Sequence, residues 1–196
     1  MGRTDTRERI LDEAEHLMGA RGYSGFSYQD ISKPLGIRNA AIHYHFPTKA
    51  DLGVAVIQRY RDMLATAWKD FRAGRTTPQQ QFDGYLKIFT HEAVCSQTLC
   101  PMGVLTADYF NLPDPMLEAG SKLKREVLEW LTEILAAGRK SGEFRFAGGP
   151  EEEALTVMAT LQGARQMARM IGTDAMLSII ARLRGQLLVD TGERAA

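Results

Sequence analysis

Only two cysteines, Cys95 and Cys100, occur in 196 residues. No disulfide framework is therefore indicated, and a reducing compartment suits the chain. Long apolar runs are missing as well. Stretches such as residues 177–181 fall far short of the roughly 20 residues that a spanning helix needs, so no membrane partner is expected. The chain also lacks an excess of either charge, with 24 Lys and Arg against 24 Asp and Glu. Through residue 50 seven cations meet six anions. Bulk attraction to nucleic acid is thereby excluded, and any DNA contact depends on where the cations sit. Met1-Gly2-Arg3-Thr4-Asp5 has no apolar signal core, which points to a cytoplasmic protein. Gly2 and Thr6 leave a myristoyl anchor formally open, but the residues that follow already read as helix. Strict alternation of apolar and polar residues is absent too, which removes strands from the expected fold.

Helical spacing is what remains. Ile10, Leu11, Ala14, Leu17 and Met18 share one face, and Gly22 is a stop. Ser27-Tyr-Gln-Asp30 is a capping box opening a short helix with Tyr28, Ile31 and Leu35 inward. Gly36 supplies a turn, and residues 38–45 form a second short helix. Thr48-Lys-Ala-Asp51 is another capping box, heading a long helix as far as Gly74. Thr77-Pro78 with Gln80 starts a helix to about Val94, and prolines at 101, 113 and 115 bracket a short piece around 104–111. A long helix from 115 to about 140 follows. Then come Gly148-Gly149-Pro150 with three glutamates at a helix start, and a last helix after Gly172. The expectation is an all-α chain of about nine helices, with an N-terminal three-helix domain over 5–52 and a larger helical domain over 53–192.

A short helix, a glycine turn and a second short helix make the layout of a DNA-binding helix-turn-helix, here about 28–47. Ile37, Ala41 and Ile42 face inward, while Asn39, Ala40, His43 and Tyr44 face out or sideways. Ala40 is small enough for close approach to base edges and thymine methyls. Tyr44, His45, Thr48 and Lys49 bring hydroxyl, imidazole and ammonium groups to a helix N-terminus, a phosphate-binding combination. Ser27, Tyr28 and Arg38 complete the candidate DNA-contacting set, and Arg3 and Arg7 suit an arm reaching the adjacent groove. His43-Tyr-His45 is no metal site, because helical residues two apart point to different sides.

These runs have a further meaning together. Arg9-Ile-Leu-Asp-Glu-Ala14, Gly22-Tyr-Ser-Gly-Phe-Ser27, Ile31-x-x-x-Leu-Gly-Ile37 and His43-Tyr-His-Phe-Pro-Thr-Lys49 occur in order. From Arg7 to Leu52 the chain resembles the TetR family of regulators. The resemblance implies an all-helical fold, a homodimer and a ligand-binding C-terminal domain. It also implies a repressor that a small-molecule effector releases from palindromic or pseudo-palindromic operator DNA. Many relatives start the recognition helix with Ser or Thr, where this chain has Arg38-Asn39.

Behind residue 52 lies more apolar length than DNA docking needs. Trp68, Phe71, Tyr85, Phe89, Met102, Tyr109, Phe110 and Trp130 are the candidate ligand-binding residues, read against the plainer alternative that aromatics at helical spacing are core. The last two helices carry wide apolar faces, including Leu155, Met167, Met170, Ile171 and Leu177, which suit a twofold interface. Arg165 and Arg169, one turn apart, suit either a ligand carboxylate or a solvated rim. No cofactor motif occurs. Two alternatives stay open: a thiol sensor of oxidants or electrophiles using Cys95 and Cys100, and a cysteine enzyme with His91 as base. The second lacks an orienting acid and an oxyanion site.

Overall fold

The computed structural model describes residues 6–96 and 100–189, with side chains undescribed from 92 to 99. Gly2, Arg3 and the Cys95 side chain therefore lie outside the described residues. Within them are nine α-helices: α1 (Thr6–Arg21), α2 (Tyr28–Leu35), α3 (Asn39–His45), α4 (Lys49–Ala73), α5 (Pro78–Ser96), α6 (Pro101–Ala107), α7 (Asp114–Ser141), α8 (Pro150–Ile171) and α9 (Thr173–Leu187). A 3-10 turn, Tyr109–Asn111, follows α6. The only β pairing among the described residues is a single antiparallel bridge between Phe144 and Leu188.

The chain divides into two compact units, one of Met1–Ala65 with Ser96–Lys124, the other of Thr66–Cys95 with Arg125–Ala196. The expected boundary at residue 52 follows the first three helices. The compact first unit extends further along α4 and also takes in α6 and the start of α7.

In the first unit α1 buries Ile10, Leu11, Ala14, Leu17 and Met18, the stripe its spacing requires. It ends at Gly22, whose φ of +78° lies in the left-handed region and whose N–H donates to the Met18 carbonyl at 2.9 Å. α2 starts on the Ser27 box, with the Ser27 N–H and hydroxyl both donating to Asp30 Oδ2 at 2.8 and 2.7 Å. Those bonds hold the Asp30 carboxyl below its ordinary range, with Arg21 adding to the effect. α3 stops at Phe46, which is extended as the residue before Pro47 must be. The Thr48 box then opens α4. Here the Thr48 N–H donates to Asp51 Oδ2 at 2.9 Å, and the Asp51 N–H donates to Thr48 Oγ1 at 3.1 Å.

Arg59 of α4 fastens α1 through Asp12 at 2.6 Å and through Glu15. Burial disfavours its charge, but these carboxylates outweigh that and raise its pKa. Gly22 is a second junction. A Cβ built there would sit 2.6 Å from Asp108 Oδ2, and that same oxygen accepts the Tyr23 N–H at 2.5 Å. Gly22→Ala combines the left-handed penalty with displacement of this carboxylate, and should cost about 2–3 kcal/mol. Urea unfolding measures it, and an unchanged midpoint would show that Asp108 moves aside freely.

The second unit packs around Phe82, Leu131, Leu135, Phe144, Val157, Leu161 and Met176. Phe82 and Phe144 meet edge to face with ring centres 5.7 Å apart. The Arg184 guanidinium grips Asp83 with both arms, at 2.6 and 2.9 Å, joining α9 to α5. α5 begins on the expected box, where the Thr77 N–H donates to Gln80 Oε1 at 2.9 Å.

Candidate DNA interface and aromatic cluster

The recognition helix α3 buries Ile42 completely and half-buries Ala41. Asn39, Ala40, His43 and Tyr44 face solvent, Tyr44 with 84% of its surface exposed. Arg38 precedes the helix in extended backbone, on the outside, and contributes no side-chain cap. His43 Nδ1 lies 3.1 Å from the Pro47 carbonyl, which can only accept, so Nδ1 carries the hydrogen of that bond. An open cleft of about 570 Å3 runs beside α3, lined by Ser27, Tyr28, Gln29, Asn39, His43 and Lys49. Gln29 is its one polar member that the sequence did not single out. Its signal was the next exposed position after Tyr28 on α2.

Other members of the candidate set have structural partners. Tyr28 is buried and its hydroxyl donates to the Phe46 carbonyl at 2.8 Å, tying α2 to the end of α3. Burial, then the Asp51 charge and Tyr23, push its pKa up to about 12. Lys49 donates to the Phe26 carbonyl and lies over the Phe26 and Tyr23 rings, at 4.2 and 4.7 Å from their centres. Burial lowers its pKa and the Asp30 charge partly restores it. Thr48 is exposed, with its hydroxyl held by Asp51 at 2.7 Å. His45 is half-buried against Tyr44, ring centres 5.1 Å apart. Arg7 pairs with Glu8 at 2.9 Å and covers the Phe46 ring at 5.4 Å. Asn39, Ala40, His43 and Tyr44 thus form one outward face of α3, over a scaffold that includes Tyr28 and Lys49.

The aromatics separate into two groups. Trp130 is the centre of one, within the second unit: Trp68 stacks on it at 5.1 Å with planes 16° apart, Tyr85 lies at 5.4 Å and Phe71 at 6.4 Å. Phe89 is buried nearby in sequence on α5, with the Arg165 guanidinium 5.3 Å from its ring. Arg165 itself is buried, the less expected outcome for an arginine, whereas Arg169 is exposed. Met102 is buried in the first unit. Tyr109 and Phe110 stand out in solvent, Phe110 with 97% of its surface exposed, because they occupy a 3-10 turn with no inward face. Their rings meet each other edge to face, with centres 5.4 Å apart.

Cys100 is a buried free thiol at the start of α6, and burial lowers the pKa of Lys124 on α7. His91 is exposed. Among the described residues no group of three or more His, Cys, Asp or Glu is placed to hold a metal ion. No helix is long and apolar enough to cross a membrane among those residues.

The sequence model of the family described as "Bacterial regulatory proteins, tetR family" matches residues 10–56, the span from α1 into α4. The HTH-type transcriptional repressor NemR of Escherichia coli strain K12 is 26% identical over 174 residues, covering 85% of each chain. A TetR-family transcriptional regulator from Agrobacterium tumefaciens superposes with a TM-score of 0.87 at 28% identity, covering 93% of this chain and 97% of that one. A TetR transcriptional regulator from Legionella pneumophila gives 0.83 at 27% identity, covering 95% and 100%. With a solvent-facing α3 on a capped three-helix scaffold, residues 10–56 carry the DNA-binding region of the tetR family, and the chain is a DNA-binding transcriptional regulator similar to TetR-family proteins along its length.

Proposed function

We propose that the protein is a homodimeric repressor that leaves its operator when a small-molecule effector binds its helical second unit. The observation that carries the DNA half is the outward row Asn39, Ala40, His43 and Tyr44, held by a fully buried Ile42. Asn39 offers an amide suited to adenine, Ala40 a methyl contact to thymine, and Tyr44 and His43 reach to bases or phosphate. Ser27, Gln29 and Arg38 flank that row for phosphate contacts. Repression is supported by relatives of similar length that are named transcriptional repressors, from Escherichia coli and from Mycobacterium sp. strain GP1.

Dimerisation through α8 and α9 is supported by their solvent-facing apolar side chains. Twofold symmetry then presents two recognition helices to two half-sites. Effector binding is supported by the cluster around Trp130. α4 is one continuous helix from the Thr48 box to Ala73 and carries Trp68 and Phe71. A ligand that favours one setting of α4 lowers DNA affinity by its differential affinity for the two states.

DNase footprinting upstream of the protein's own and neighbouring genes tests the reading. Two protected half-sites are expected, centred about 10 base pairs or a multiple of that apart, with protection weakening as salt rises. Binding with no sequence preference at any of these regions would sink it.

A further inference from the structure

We infer that the ligand of the second unit is a flat apolar molecule carrying a hydrogen-bond acceptor, and that the Trp68 indole N–H is the donor that reads it. This rests on the proposed effector function of the unit. Trp68 is 9% exposed, and its Nε1 is the one fully buried side-chain nitrogen or oxygen among the described residues without a hydrogen-bond partner. Such an atom is costly, because folding strips its water and returns nothing. A phenylalanine in its place would be smaller but would carry no unpaired donor. An indole is favoured there when a bound molecule completes the bond.

The surroundings define the rest of the molecule. Trp68 and Trp130 lie nearly parallel, and Tyr85 and Phe71 extend the aromatic surface around Trp130. Planar rings are held by such faces through offset stacking. The polar group must accept, since an indole N–H only donates. A ketone and a carboxylate share this acceptor chemistry, and the experiment separates them.

Calorimetric titration of the full-length protein with 2-acetylnaphthalene, 2-naphthoate and 2-ethylnaphthalene presents one ring system with a neutral acceptor, an anionic acceptor and none. Trp68→Phe should weaken binding of at least one acceptor-bearing probe about tenfold more than it weakens binding of 2-ethylnaphthalene. Loss confined to the acetyl or to the carboxylate probe names the acceptor. Because an unpaired donor is removed, the variant should melt no lower than the parent. If it does melt lower, the 2-ethylnaphthalene arm still separates lost packing from a lost hydrogen bond. Equal losses for all three probes, or no loss for any, would overturn the assignment, as would failure of all three to bind the parent protein. Fluorescence anisotropy on the footprinted DNA separates this result from the effector reading. Trp68-dependent binding that leaves DNA affinity unmoved keeps the donor and removes the effector role.

Discussion

Met167→Glu with Met170→Glu should turn the protein into a monomer and reduce operator affinity by about a thousandfold. Leu155, Ala159, Gly163, Met167 and Met170 follow at spacings of four, four, four and three, one solvent-facing stripe of α8. Met170 leaves 84% of its surface in water, and Ile171 and Leu177 extend the apolar area to the start of α9. Cβ atoms built at Gly163 and Gly185 would meet nothing within 4 Å, so among the described residues nothing covers α8 or α9 there. A second copy laid across this face by twofold symmetry would bury the same stripe on both protomers.

Every large apolar side chain removed from water contributes about 1.5–3 kcal/mol at full burial. The two glutamates withdraw two of these contributions per protomer and add carboxylates that the interface must desolvate. A dissociation constant raised by three decades or more is the expected outcome, read by sedimentation equilibrium. DNA affinity falls with it because a monomer engages a single half-site. The substituted positions are exposed, so far-ultraviolet circular dichroism should not change. A variant that stays dimeric would place the interface elsewhere.

The order of the helices and most of their ends were legible because their signals are local, whereas the piece expected around 104–111 starts at Pro101 and divides into α6 and a 3-10 turn. Ser27–Asp30, Thr48–Asp51 and Thr77–Gln80 each formed the reciprocal or near-reciprocal bonds their spacing implies. The inward face of α3 was legible for the same reason: on seven residues with one fully buried isoleucine, periodicity leaves little choice. What the sequence concealed depends on pairings between distant segments. Tyr28 and Lys49 carry groups suited to phosphate, yet a carbonyl from a neighbouring segment engages each of them. Asp108 receives the Tyr23 amide across 85 residues, a pairing no local pattern announces. Tyr109 and Phe110 read as pocket aromatics by type alone, and the 3-10 turn that exposes them has no apolar period to give it away. Trp68, Phe71, Tyr85 and Trp130 gather from three helices, and only the packed fold brings them together.

The reading face carries the second large expectation. Asn39→Ala with Tyr44→Ala should weaken operator binding by roughly a thousandfold while leaving the melting temperature where it was. Both side chains are solvent-facing, and the Tyr44 ring rests against the edge of His45. Substitution at such positions changes stability by less than about 0.5 kcal/mol. On DNA the same groups become bonded and desolvated, where a good base or phosphate interaction contributes about 1–3 kcal/mol. Removing two such interactions from each of two protomers, at the low end of that range, amounts to about 4 kcal/mol, or three decades of affinity.

Substitutions on α3 and on α2 should differ in kind. Asn39→Ala alone should relax the preference for one base position with little change in salt dependence, since an amide is neutral. Lys33→Ala on α2, an exposed cation, should instead weaken all sequences alike and reduce the salt slope by about one if it neutralises a phosphate. Quantitative anisotropy on the operator and on single-base variants, at several salt concentrations, separates these behaviours. An Asn39→Ala/Tyr44→Ala protein with parental affinity and specificity would mean that α3 is not the element that enters the groove.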